Sequence, residues 1–294
     1  MTAKHSLQGR IRAGCVQACA ARRRGRAVLI LGALAAVLAA PPAVALSFFP
    51  ERVVLDDQHR SAVLRIVNKS DTVQRYLITW RPMRMTSENG LRPVPEGDTP
   101  QDLYPAKDYV LFAPRQAAIP PNSTQAVRLM AQLPAELPPG EYRSHLMITE
   151  PPREVQKESS EDGVNMRIKV VSRTTLPVIV RHGDPQVDVS LESMDLNRTE
   201  AGPALDVTLG RSGGRSVYAA AEVTWEAPDG STHNVFGPAT LAVYREIGQR
   251  EFTHSLDLPE GRTLKGGKLH YVVTRRPAYD DPATVLIDRR YSVP

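Results

Sequence analysis

Cysteine is almost missing from this chain: there are two in 294 residues, Cys15 and Cys19, both near the start. Beyond them no thiol is left for a disulfide framework, a thiolate metal site or a cysteine nucleophile. Aromatic residues are sparse, at 5 %. No apolar run reaches the ~20 residues that a membrane-spanning helix needs. The Gly-x-Ser-x-Gly elbow of the α/β-hydrolases does not occur. His59, His145, His182, His233, His254 and His270 are never spaced two to four apart, so no local metal site is indicated. The glycine-rich stretch 261–268 lacks the Gly-Lys-Ser/Thr ending of a phosphate loop and reads as a turn. No enzyme, metal or cofactor is expected.

The first 45 positions do not read as fold. Arg22, Arg23, Arg24 and Arg26 precede a 14-residue apolar run, 27–40, and then Ala43-Val44-Ala45. A basic head, an apolar centre and a small-x-small exit are the parts of a secretory signal peptide, here with cleavage expected after Ala45. Seven of the 37 basic residues lie in this leader and none of the 32 acidic ones. The remainder carries 30 against 32, a net of −2. The high isoelectric point therefore belongs to the leader, and a nucleic-acid footprint is not supported.

After the leader, period-2 alternation dominates and helical periodicity is nearly absent. Short β-branched runs recur between Gly, Pro, Asn and Asp, the pattern of an all-β sandwich. Strands are expected at 49–55, 61–67, 74–84, 109–112, 124–132, 141–149 and 164–180, the seven of an immunoglobulin-like domain. Arg181-His182-Gly183-Asp184-Pro185 breaks the pattern and marks a boundary. Seven more strands follow, at 186–192, 204–209, 217–226, 239–243, 251–258, 269–275 and 284–291. The expected organisation is a signal peptide (1–45) followed by two immunoglobulin-like β-sandwich domains, 46–181 and 182–294. Pro228-Asp229-Gly230 reads as a hairpin turn. The stretch 151–163 is charged and holds one aliphatic side chain, Val155, so it is expected to be mobile.

The cleanest alternation comes directly after it. Val164, Met166, Ile168 and Val170 share one face of a strand, while Asn165, Arg167 and Lys169 share the other. The pattern suits a core strand, and it equally suits an edge strand that offers its apolar row to another protein.

Several blocks around this strand carry a resemblance. They are Glu51-Arg52-Val53-Val54-Leu55-Asp56, Val63-Leu64-Arg65-Ile66-Val67-Asn68 and Phe112-Ala113-Pro114-Arg115. Ile119-Pro120-Pro121-Asn122, Gln125-Ala126-Val127-Arg128-Leu129, Gly140-Glu141-Tyr142-Arg143-Ser144-His145-Leu146 and Pro177-Val178-Ile179-Val180-Arg181 follow. In order and spacing, residues 47 to about 185 resemble the PapD-like periplasmic chaperones of chaperone–usher pili. The block around Arg143 resembles the divergent, archaic-type branch.

This resemblance implies a periplasmic chaperone that binds pilus or fimbrial subunits and delivers them to an outer-membrane usher. It implies no cofactor, no nucleic-acid partner and no membrane insertion of the mature chain. The seventh strand would complete an unfinished subunit by strand addition, with Val164, Met166, Ile168 and Val170 as its donor residues. A pair of basic residues would hold the subunit's C-terminal carboxylate. Arg52 matches the first; the family's second, a lysine, falls at about Pro177, and Arg173 and Arg143 are the nearby candidates. Glu141 and Arg181 match an inter-domain salt bridge, to be completed by Asp280 or Asp281. The rival expectation is an exported two-domain immunoglobulin-like protein of adhesion or surface assembly, with the same row buried as core.

Overall fold

The computed structural model describes residues 47–88, 90–95, 97–98, 100–151, 153–156, 167–278 and 283–294. The leader, Val164, Met166, Asp280 and Asp281 lie outside them, and of Ile168 only the backbone is described. Among the described residues the chain is built of strands, and the one helix is a 3-10 turn at Gln101–Leu103. No helix among them is long and apolar enough to cross a membrane.

Thirteen strands make the first half. They are β1 (Ser47–Phe49), β2 (Val53–Leu55), β3 (Ser61–Val67), β4 (Gln74–Arg81), β5 (Met83–Thr86), β6 (Gly90–Pro93), β7 (Val110–Ala113), β8 (Gln116–Ile119), β9 (Thr124–Ala131), β10 (Gly140–Thr149), β11 (Arg153–Gln156), β12 (Arg167–Val170) and β13 (Arg173–His182). Sheets β1-β3-β9-β7 and β2-β13-β10-β4-β8 close on one core that includes Leu64, Ile66, Ile78, Val127, Leu129, Leu146, Leu176 and Val178. Trp80 packs against this core and meets Phe112 edge-on, with ring centroids 5.3 Å apart.

The second half is β14 (Val187–Thr199), β15 (Gly202–Gly213), β16 (Val217–Glu226), β17 (Thr232–Val243), β18 (Gln249–Ser255), β19 (Lys268–Arg275) and β20 (Val285–Ser292). Sheets β14-β15-β18 and β17-β16-β19-β20 enclose a separate core around Leu205, Val223, Trp225, Leu269, Tyr271 and Val273. β13 ends at His182 and β14 begins at Val187, so residues 183–186 connect the strands of the two cores. The turn after β16 forms as its chemistry predicts: Gly230 takes a φ of +82° and Asp229 accepts the Ser231 N–H at 3.0 Å.

Proline accounts for two departures from the expected strands. The segment 49–55 is two strands in different sheets, β1 beside β3 and β2 beside β13. Pro50, between them, has no N–H to carry a ladder on. Pro82 likewise separates β4 from β5, which the alternation had joined. The expected strand at 164–180 is also divided, with β12 and β13 parted at Val171 and Ser172. The stretch expected to be mobile holds a strand, β11, at its start. β11 forms because it extends the β10–β13 hairpin, a backbone pairing that requires no apolar side chains.

Candidate functional site

β10 and β13 are covered on both faces. One face of the pair supplies Tyr142, Leu146, Ile148, Leu176, Val178 and Val180 to the first core. The opposite face carries Glu141, Arg143, His145, Ile179 and Arg181, and these are buried as well. Charged groups are buried there because the second sandwich lies over them and supplies partners. Glu141 accepts from Arg181 Nε at 3.1 Å and from the Ser216 N–H at 3.2 Å. Arg143 pairs with Glu246, donates to the Met83 carbonyl at 3.2 Å and stacks 3.8 Å over the Tyr244 ring. The Met85 N–H donates to Glu246 at 2.9 Å, and Arg245 donates to the Glu141 carbonyl at 3.1 Å. Burial and the neighbouring Arg143 charge hold His145 well below the usual histidine range, so it is neutral.

Glu141 and Arg181 pair within the first sandwich, and Asp280 and Asp281, expected to complete an inter-domain bridge, lie outside the described residues. Glu246 is the buried acid of the second half, and it pairs with Arg143 rather than Arg181. No sequence signal marks it: it sits in the loop after β17, in a charged pair with Arg245 that has no period of its own.

The other side of β13 is different. β10 lines one side of β13 along its whole length, but β2 lines the other only at Val178, Ile179 and Val180. β12 pairs with β11 and with no second strand among those described. Among the described residues this edge is open from Arg167 to Pro177. Val170 is 52 % exposed, so at this position the first core does not use the row.

The open edge ends where β2 begins, at Arg52. A cleft of ≈ 710 Å³ opens there, lined by Phe48, Arg52, Ala62, Tyr218 and Arg276 among others. The Arg52 guanidinium lies 3.9 Å from the centroid of the Tyr218 ring. Burial, and then the charge of Arg181, push Arg52 down to about 10, still cationic at neutral pH. No carboxylate among the described residues pairs with it.

The two candidates for the second cation are not at this place. Arg143 is spent on Glu246 with 5 % of its side chain exposed, and it must be withdrawn as a carboxylate anchor. Arg173 is exposed and starts β13 opposite Thr149. It stands five residues before Val178, the partner of Val53, or about 17 Å along the strand at ~3.3 Å per residue. Arg173 and Arg52 therefore do not share a cleft.

These strands and cores define a two-sandwich, immunoglobulin-like all-β protein. No family model matches the chain, and no curated protein matches it significantly. Solved structures match it in fold. The Pseudomonas aeruginosa CupB2 chaperone is 15 % identical, over 84 % of this chain and 99 % of its own, at a TM-score of 0.39. The CsuC–CsuE chaperone–tip subunit pre-assembly complex of Acinetobacter baumannii Csu pili gives 10 %, 84 %, 97 % and 0.41. The Salmonella enterica SafA pilin–SafB chaperone complex gives 13 %, 86 %, 99 % and 0.39. A likeness this remote carries no argument about function.

Proposed function

We propose that this protein is a non-enzymatic periplasmic chaperone. It captures unfinished pilus or fimbrial subunits by strand addition and passes them to an outer-membrane usher. It would reach the periplasm through cleavage after Ala45 and bind with its first domain, 46–181, while 182–294 forms the second. The supporting observation is the half-open ladder from Arg167 to Pro177, which runs into the cationic cleft at Arg52.

The topology also favours one direction of addition. β2 runs parallel to β13 and occupies the edge beyond Pro177. A strand laid on the open edge in the same parallel sense ends with its C-terminal carboxylate at Arg52. The antiparallel sense would bring a terminal amine to the same cation, which is repulsive. Backbone hydrogen bonds supply affinity, and the alternating row Val164, Met166, Ile168 and Val170 supplies fit. Four such side chains contribute roughly 6–12 kcal/mol gross on burial, less several kcal/mol for association.

Co-expression with a pilin subunit that lacks its final strand tests this. A 1:1 periplasmic complex is expected by native mass spectrometry. If the subunit is soluble in the same extract and stays apart from the chaperone, the proposal fails.

A further inference from the structure

The second sandwich has an open edge of its own. β14 is 13 residues long and, among the described residues, pairs with β15 alone. The opposite edge of that sheet is engaged: in β18 the Glu251 N–H donates to the Ser87 carbonyl at 3.0 Å, in the turn between β5 and β6. Every second residue of β14 turns its N–H and C=O away from β15, where another chain can pair with them. The inward row is incomplete in the same way. Leu191, Met194 and Leu196 are half-buried, whereas their partners in β15, Leu209, Val207 and Leu205, are fully buried.

The outward face of this edge has one sign of charge. Asp188, Glu192 and Asp195 are exposed along β14, Asp206 stands opposite Asp195, and Glu251 follows on β18. From Asp188 to Asn197 the outward positions of β14, and those beside them on β15 and β18, hold no lysine or arginine. The hydrogen-bond donors to these carboxylates are neutral: Ser190 for Glu192, and Asn197 at 3.0 Å and Thr253 at 2.7 Å for Asp206. The charge of the face is therefore not cancelled.

We infer that β14 is a second strand-docking edge, and that its occupant is a basic extended segment of a partner protein, with lysine or arginine at every second position and apolar side chains between. A strand added there continues the ladder with its backbone and sets its cations against Asp188, Glu192 and Asp195. Its apolar side chains lie beside Leu191, Met194 and Leu196 and complete their burial. A second copy of β14 is disfavoured, because it would set carboxylates against carboxylates. The inference does not depend on the strand capture proposed for the first sandwich, since it concerns the other domain and a different partner chemistry.

The test uses three ten-residue peptides with capped ends on the mature chain: alternating Val-Lys, alternating Val-Glu, and a block peptide of five valines followed by five lysines. Isothermal titration calorimetry reads affinity, and hydrogen exchange reads where each peptide sits. The Val-Lys peptide is expected to bind at least about tenfold more tightly than Val-Glu, and to slow amide exchange within 187–199. The block peptide, equal in charge and composition but without alternation, should bind more weakly than Val-Lys. Asp188→Lys with Asp195→Lys should reverse the order of the two alternating peptides. Both side chains are exposed, so this variant should melt with the parent; Asp188→Asn with Asp195→Asn, which should remove most of the preference, replaces it if it does not. If Val-Glu binds as tightly as Val-Lys, if the block peptide matches the alternating one, or if exchange within 187–199 is unchanged, β14 is not a docking edge. A variant that keeps the parent's preference overturns the inference as well.

Discussion

Arg143 and Glu246 illustrate what the covered face of β10 demands of single residues. Their side chains are 5 % and 2 % exposed, so each charge has only its partner and a few dipoles to replace water. Removing one member leaves the other charged and buried, which typically costs 3–5 kcal/mol. Glu246→Ala should therefore lower the unfolding free energy from urea titration by about that much, while replacing both residues with methionine should recover most of the loss; a single variant as stable as the parent would show the pair is not buried in solution. Histidine gives a second handle. Burial among Phe236, Phe252 and Tyr271 lowers His254 from 6.5 to about 4, with Asp206 opposing. The folded state thus refuses a proton that the unfolded chain accepts, so stability is full above pH 6.5 and declines as pH falls toward 4. His145 acts in the same direction. For His254 alone the loss approaches about 3 kcal/mol, and His254→Phe should flatten the stability curve between pH 6.5 and 4, measured by urea titration at each pH.

At the scale of elements, β12 is the strand whose row the proposed function needs free. With that row free, Ile168→Asp with Val170→Asp should leave the unfolding free energy of the isolated protein within about 0.5 kcal/mol, and should abolish the subunit complex. A variant that unfolds would place the row in its own core. The sequence made the periods of most strands legible: β3, β4, β9 and β16 alternate buried and exposed much as their residues alternate in polarity. It was less informative where one face meets a second partner. Glu141, Arg143 and His145 look like the solvent side of β10, yet they are buried under the second sandwich, and no local pattern encodes a contact with Ser216 or Glu246 about 75 to 100 positions away. The open edge was legible as alternation and undecided as exposure, because period 2 identifies a face without saying what covers it.

Across the whole molecule, the contacts that bridge the two cores among the described residues are mostly polar. Glu141 to Ser216, Arg143 to Glu246, Arg245 to Glu141 and Arg52 to Tyr218 make up much of the link, with Met85 against Tyr244 and Glu246 beside them. Two cores of this size could each melt alone, so one cooperative transition requires that breaking either sandwich exposes charges that the other was satisfying. Three buried ionic groups provide that penalty: when one half unfolds, Arg143 and Glu246 lose each other and Glu141 loses the Ser216 N–H. The parent should therefore melt in a single calorimetric transition whose van't Hoff and calorimetric enthalpies agree. Glu141→Ala combined with Glu246→Ala removes both acids of the interface while touching neither core, and the trace should separate into two transitions with the summed enthalpy little changed. Two transitions already in the parent would mean the polar link does not couple the halves, and a single transition in the double variant would mean that other contacts do so instead.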